Sequence, residues 1–295
     1  MHTSLPRLGF AGIGLMGLPM CQRLLAAGYP LVVWNRNPDK CAPLVALGAS
    51  QVQSRAELCA QAEIIMLCLA ATQAVEEVVF AEQGLASTLT AQQVLVDFSS
   101  IEPAATQSMA QHLLAETGTH WLDIPVSGGV VGAEQATLVM MAGGESTALA
   151  PVLPVLEHLS QRVTHMGAVG AGQVAKVCNQ MLVACNAMVI AEVVALAEQA
   201  GVDAALLAPA LAGGFADSTP FQILAPQMAQ REFEPVKWHV RTLLKDLDMA
   251  VKLSQQHTSA TPMRGVAAQL MRTHGAQGHL AADPATLIKL YRGED

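Results

Sequence analysis

The sequence is short of charge and of aromatic rings. Asp, Glu, Lys and Arg make up 14% of its 295 residues, and Phe, Trp and Tyr only 4%. The net charge is −8 with no basic block, so a nucleic-acid backbone or an anionic membrane surface finds nothing to grip. Six cysteines are present (Cys21, Cys41, Cys59, Cys68, Cys178 and Cys185), with no CxxC pair and no metal-like clustering with histidine. Free thiols in a reducing cytosol, and hence a cytoplasmic location, are the expectation. The histidines form no HExxH and no metal-ligand set, and no Ser-His-Asp triad stands out. Metal catalysis and triad hydrolysis are therefore not expected. No apolar run precedes Leu8, which speaks against a secretory leader.

What is abundant is apolar. Such residues make up 52% of the chain, led by Ala, Leu, Val and Met. That excludes disorder, and the length suits about two domains. Residues 177–197 are apolar over about the length of a membrane span. They include Asn179, Gln180, Asn186 and Glu192, which lipid penalises. A long helix buried between domains or subunits is expected instead, with no membrane partner. Covering such a helix calls for a homo-oligomer, a dimer or a tetramer.

Residues 8–11 form a short apolar run that enters a glycine turn, 18–27 have helical spacing and stop at Gly28, and 31–34 are apolar again. Strand, turn, helix and strand within about 30 residues make a βαβ unit. The alternation continues with expected strands at 63–69, 94–98, 120–124 and 138–142, separated by helices at 42–47, 72–80 and 104–117. It predicts an α/β fold, a largely parallel sheet with helices on both faces. The strand signal ends after Val163. One long helix pattern fills 172–200, and further helices are expected near 204–212, 221–230, 243–256, 262–274 and 284–291. Glycines 167, 170 and 172 mark the boundary between domains 1–165 and 166–295.

The turn Gly12-Ile13-Gly14-Leu15-Met16-Gly17 is a GxGxxG set between a strand and a helix. Its first two glycines permit a tight turn and close approach of a pyrophosphate, and the third lets the helix pack on the strand. The helix N-terminus offers free N–H groups and the positive end of its dipole. A dinucleotide is therefore the expected cofactor. An acidic residue at the end of the second strand would favour NAD. This chain has Asn35, able to hydrogen-bond a ribose, and Arg36, able to contact a 2′-phosphate. NADP(H) is the expected cofactor, with NAD the alternative.

Four ordered blocks now carry a resemblance. They are Gly9 to Met20 around the glycine turn, Asp123-Ile124-Pro125-Val126-Ser127-Gly128-Gly129, Gly170 to Gln180 (GAGQVAKVCNQ), and Leu244-Lys245-Asp246-Leu247. With them the chain resembles the β-hydroxyacid dehydrogenase family nearly end to end. The resemblance implies a Rossmann-type doubly wound sheet, then an all-α domain, joined by a long interdomain helix. It implies oxidation of a 3-hydroxy acid or reduction of the matching semialdehyde, a small-molecule partner. Lys176 matches the catalytic lysine and Asn179 the asparagine one turn on. Ser127, Gly128 and Gly129 match a loop for the substrate carboxylate. Ser100 matches a hydroxyl residue beside the nicotinamide, and Lys245 a lysine reaching the cofactor from the helical domain. Relatives commonly have Leu-Pro in the loop over the cofactor, where this chain has Leu69-Ala70.

The residue types suit that chemistry. Hydride delivery to an aldehyde leaves charge on oxygen, so a general acid must stand beside it. A lysine near the start of an apolar helix is placed for that role, since burial and the positive helix end both disfavour its charge. Asn179, three residues on, projects from the same face. Asp97 and Asp123 end strands and are expected to fix loops rather than to move protons. His165 and His239 are read as structural. Gly213-Gly214-Phe215 and Trp238 suit either a pocket wall or core packing. The substrate stays open among tartronate, methylmalonate and succinic semialdehydes and glyoxylate. A non-catalytic cofactor sensor would be expected to lose Lys176 or the 127–129 loop, and an imine reductase relative usually replaces the lysine.

Overall fold

The structure, a computed structural model, describes residues 5–292. It divides into two compact units, one up to Lys176 and one from Val177 onward. Among the described residues the first unit holds nine strands: β1 (Leu8–Ala11), β2 (Leu31–Trp34), β3 (Ser50–Gln51), β4 (Ile64–Leu67), β5 (Val94–Asp97), β6 (His120–Asp123), β7 (Val126–Ser127), β8 (Leu138–Gly143) and β9 (Ser160–Gly167). Their order is β3-β2-β1-β4-β5-β6-β8-β7, with β9 on β8. From β3 to β6 every pairing is parallel. β8 runs antiparallel to β6 and β7, and β9 is parallel to β8.

The sheet grows one way from β1 to β2 and β3, and the other way from β4 to β5 and β6. Connections leaving β1 and β4 therefore diverge, which opens a crevice at the carboxyl ends of these strands. β1 is buried at all four positions, as a central strand covered on both faces must be. Alternate residues supply the two faces. Leu8, Phe10, Met66, Val96 and Leu122 join one core cluster. Ala11, Ile65, Leu67, Leu95 and Trp121 join the other.

The helix Ala171–Gln199 runs from the first unit into the second. By length and composition it is apolar enough to cross a membrane. Ala184, Ala187, Ala191, Val194 and Ala195 on one face pack into the core of the second unit with Phe221, Leu224, Met228, Leu243, Leu247 and Met271. The small alanines let neighbouring helices approach closely. Leu182, Val189, Val193 and Leu196 are exposed on the same helix. Helices Thr219–Gln230, Val240–Gln256 and Pro262–Ala276 are longer helices of the second unit.

The α/β sheet followed by helices is the architecture the alternation predicts. Several local details differ. β9 continues past Val163 to Gly167, and its mostly exposed polar residues hide the strand pattern. β3 is two residues long, too short for any periodicity. Residues 284–290 form a 3-10 helix, not an α-helix, started by Asp283, which accepts from the Ala285 N–H, and by Pro284. Residues 204–212 split into a 3-10 turn and a five-residue helix.

One buried imidazole makes the second unit sensitive to acid. His274 is fully buried, accepts or donates at Nε2 to Thr286 Oγ1 at 2.8 Å, and stacks on His279 with ring centroids 4.4 Å apart. Burial pushes its pKa down to about 4, helped by His279 and Lys289. An unfolded histidine takes its proton near pH 6.5. Between those values only the unfolded chain binds the proton, so stability falls as pH drops from about 6.5 to about 4. Denaturant melts at pH 7 and pH 4.5 should show the wild type losing on the order of 2 kcal/mol more than His274→Gln. Equal losses would remove His274 as the cause.

Candidate active site

The glycine turn is built by close approach. After β1, Gly12 takes φ +102°, and a Cβ there would lie 2.3 Å from the Cys68 carbonyl oxygen at the end of β4. A Cβ on Gly17 would lie 2.1 Å from the Gly12 carbonyl oxygen. Both positions therefore exclude any side chain. Gly14 differs, because a Cβ there meets nothing within 4 Å. The turn thus leaves open space above Gly14 and presents the start of helix Gly17–Ala26. That helix has no side-chain cap and no acidic residue in its first turn. Its orphan N–H groups and positive dipole end suit a phosphate, so the residues present fit a dinucleotide. Ile13 is buried, Met16 half-buried, and Leu15 is exposed at the tip.

Asn35, just after β2, braces this turn. Its Oδ1 accepts from the Ile13 N–H at 2.9 Å, and its Nδ2 donates to the Asn37 carbonyl at 2.7 Å. Arg36 beside it is exposed and makes no hydrogen bond or ion pair with any described residue. The pair thus divides its work, one side chain holding the loop and the other left to solvent.

The loops after β4, β5 and β6 are tied together by side chains. The Leu69 N–H donates to Ser99 Oγ at 2.9 Å, and the exposed Ala70 follows without the ring a proline would add. Asp97 Oδ1 accepts from the Ser99 N–H at 2.9 Å. Asp123 holds the entry to the long helix, its two carboxylate oxygens accepting from the Gly170 N–H at 2.8 Å and the Gln173 N–H at 2.9 Å. Burial pushes the Asp97 carboxyl up to about 7 against the pull of its Ser99 hydrogen bonds. Burial likewise raises Asp123 to about 6, opposed by the backbone N–H groups of Gly170 and Gln173. Both aspartates brace loops, as their strand-end positions suggest. The Ser100 hydroxyl is buried with no hydrogen-bond partner among the described residues. A buried polar atom without a partner is costly, and a nicotinamide amide is a group that would satisfy it.

Lys176 sits in the second turn of the long helix and is 9% exposed. Asn179 follows one turn on and donates from Nδ2 to Gln180 Oε1 at 2.9 Å. Gln180 Nε2 in turn donates to the buried Asp246 at 2.5 Å. Lys245 is largely exposed, with Nζ 3.3 Å from Asp246 Oδ1. Ser127 lies in β7, antiparallel to β8, and Gly128 and Gly129 follow at φ +134° and +63°. A Cβ on Gly129 would meet open space.

A continuous set of contacts thus joins Gly12–17, Asn35, Leu69, the loop around Ser100, and the helical turn before Lys176. It does not include Arg36, while the helix Gly129–Gln135, which follows Ser127 and Gly128, packs against helix Gly17–Ala26. Sequence reasoning gave no role to Gln173, Gln180 or Ser99. Gln173 and Gln180 stand inside the block GAGQVAKVCNQ, but an amide's task depends on partners far away in the chain. His165 bonds the Gly144 carbonyl and His239 the Ala281 carbonyl, which are structural roles. Phe215 is fully exposed and Trp238 packs against the second core. Among the described residues no group of three His, Cys, Asp or Glu is placed to hold a metal ion.

A doubly wound sheet with an open glycine cradle at its switch point is the architecture of a dinucleotide-binding protein. Residues 7–167 match the family model described as the NAD-binding domain of 6-phosphogluconate dehydrogenase. Residues 170–291 match the one described as NAD-binding of NADP-dependent 3-hydroxyisobutyrate dehydrogenase. The chain is 34% identical to 2-hydroxy-3-oxopropionate reductase of Escherichia coli, over 96% of both chains. It is also 34% identical to 3-hydroxyisobutyrate dehydrogenase of Pseudomonas aeruginosa, over 98% of this chain and 99% of that one. A solved structure of Mycobacterium tuberculosis 3-hydroxyisobutyrate dehydrogenase with L-serine superposes with a TM-score of 0.88 at 29% identity, covering 98% and 100% of the two chains. The chain belongs to the β-hydroxyacid dehydrogenase family, whose members are oxidoreductases acting on the CH–OH group of hydroxyacids.

The glycine geometry predicts opposite outcomes for two alanine substitutions. Gly17→Ala forces a Cβ onto the Gly12 carbonyl and should lower the melting temperature by several degrees. Gly14→Ala fits the folded chain and should leave the melting temperature nearly unchanged. It should weaken dinucleotide binding, read by NADPH fluorescence, by about tenfold or more. Full affinity in Gly14→Ala would show that the pyrophosphate does not approach there.

Proposed function

We propose that this chain is an NADP(H)-dependent semialdehyde reductase and 3-hydroxyacid dehydrogenase in which Lys176 is the general acid and base. The burial of Lys176 on the second turn of the long helix carries this reading. A snorkelling lysine would hold its ammonium in water, so burial at this turn supports a proton-transfer role.

When bound, the nicotinamide exchanges the hydride with the substrate carbon. In the reductive direction Lys176 gives a proton from Nζ to the carbonyl oxygen as it gains charge. In the oxidative direction the neutral amine takes the hydroxyl proton. Asn179 orients the substrate hydroxyl or the lysine. Ser127, Gly128 and Gly129 receive the carboxylate through a hydroxyl and exposed backbone N–H groups. Ser100 would hold the nicotinamide end, and Leu69, Ala70 and Lys245 are further cofactor-binding residues in this reading. Gly12 to Gly17 hold the pyrophosphate and Asn35 supports the ribose side. The unengaged guanidinium of Arg36 supports NADP(H) over NAD(H).

Short substrates with a carboxylate next to the reacting carbon chain suit the 127–129 loop. 2-Hydroxy-3-oxopropionate and the semialdehyde of 3-hydroxyisobutyrate are favoured, with glyoxylate and succinic semialdehyde as alternatives. The exposed stripe of Leu182, Val189, Val193 and Leu196 supports a homodimer or homotetramer. Six free thiols, three of them fully or nearly buried, suit a cytoplasmic setting.

Lys176→Ala should lower kcat about a hundredfold or more while leaving NADPH affinity within a few fold. Near-normal turnover would refute the role given to Lys176. Arg36→Asp should invert the NADPH to NADH preference in kcat/KM, and an unchanged ratio would sink the NADP(H) assignment. An NADPH-oxidation screen of the four carbonyl substrates, with NADH as control, ranks them directly.

A further inference from the structure

Gln173 is 1% exposed and makes three hydrogen bonds within the first unit. Its backbone N–H donates to Asp123 Oδ2 at 2.9 Å. Its side-chain Nε2 donates to the Ser99 carbonyl at 2.8 Å, and its Oε1 accepts from the Ile101 N–H at 3.1 Å. One carboxamide therefore brackets Ser100, the residue between them, from both sides. It does so as a strand neighbour would, with one donor and one acceptor. Ser99 also receives the Leu69 N–H through its hydroxyl, so the β4 loop is tied into the same bracket.

The other end of this side chain is the long helix. Gln173 stands three residues before Lys176, one turn away on the same face. The loop of Ser100 and the turn of Lys176 lie more than 70 residues apart in the chain. The Gln173 amide is a rigid two-point link between them. Asp123 anchors the same turn from below by accepting from the Gly170 and Gln173 N–H groups.

We propose that Gln173 is a positioning residue for hydride transfer: it sets the loop carrying Ser100 against the helical turn carrying Lys176. This inference rests on the roles given to Ser100 and Lys176 above. Hydride transfer is steep in distance, and a displacement of about 1 Å is enough to cost a hundredfold in rate. Neither substrate nor cofactor needs to touch Gln173 for it to matter.

Gln173→Glu tests the link without changing its size. A carboxylate in this position sets an oxygen where Nε2 stood, facing the Ser99 carbonyl, so two acceptors oppose each other. The neutral acid restores one donor and one acceptor. The ionisable groups on the surrounding elements include Cys68, Asp97, Glu102, Asp123 and Lys176. Burial and the two aspartates hold the new carboxyl in its protonated form to higher pH, and Lys176 opposes them. At pH 8 the variant should lose about tenfold or more in kcat, with NADPH affinity by fluorescence within threefold of wild type. Its activity relative to wild type should recover as pH falls toward 5.5. The deuterium isotope effect with 4-deuterated NADPH should rise at pH 8 and return toward the wild-type value at low pH. Gln173→Met should be slow at every pH. The substrate is 2-hydroxy-3-oxopropionate, or whichever of the four carbonyl compounds the wild type reduces fastest.

A role in folding alone would lower the melting temperature and the active fraction but leave the isotope effect unchanged at every pH. That result, or a Gln173→Glu enzyme within twofold of wild type at pH 8, overturns the proposal. Lys176→Ala separates the two readings. If it remains active, the assignment of Lys176 fails. If it collapses while both Gln173 variants keep wild-type kcat and isotope effect, only the positioning role fails.

Discussion

The Gly17 α-carbon lies against the carbonyl oxygen of Gly12, in a gap where a Cβ would be 2.1 Å from that oxygen. The first helix can begin where it does only because of this contact. Its N-terminus then faces the crevice between the diverging loops of β1 and β4. Gly12 meets the Cys68 carbonyl just as closely, so the turn after β1 and the end of β4 are one packed unit. Everything that binds a dinucleotide here depends on two backbones approaching closer than any side chain permits.

The same economy of space recurs at the carboxyl ends of β5 and β6. There the chain buries two carboxyl groups, Asp97 and Asp123, with pKa values raised by desolvation. Burying a carboxyl costs free energy, and Asp123 offsets it by collecting backbone N–H groups at the start of the long helix. These groups would otherwise be orphan donors of that helix end. The carboxylate thus replaces an external cap and fixes the approach of the helix that bears Lys176. Ser99 plays the matching part for the β4 loop.

Much of the fold was legible in order along the chain. Continuous apolar runs marked β1, β2 and β4 because central parallel strands are buried on both faces. β9 was legible only in part, since an exposed edge strand carries no such run beyond Val163. The glycine turn was readable because glycine is a backbone statement as much as a side-chain one. Asn35 was readable as a polar residue at the end of β2, but its bonds to Ile13 and Asn37 were not, since they depend on how β2 ends beside the turn.

The sequence by itself determined the α/β order, the glycine cradle, the position of Lys176 on a long apolar helix, and the family. These are properties of local pattern and spacing, which a linear chain displays directly. Only the tertiary structure decided why three glycines in one motif have different duties, with Gly14 open and Gly12 and Gly17 pressed against carbonyls. It alone joined Gln173 to Ser99 and Ile101. An amide carries both a donor and an acceptor and suits many partners. Which ones it finds is set by the sheet that brings distant loops to the same edge.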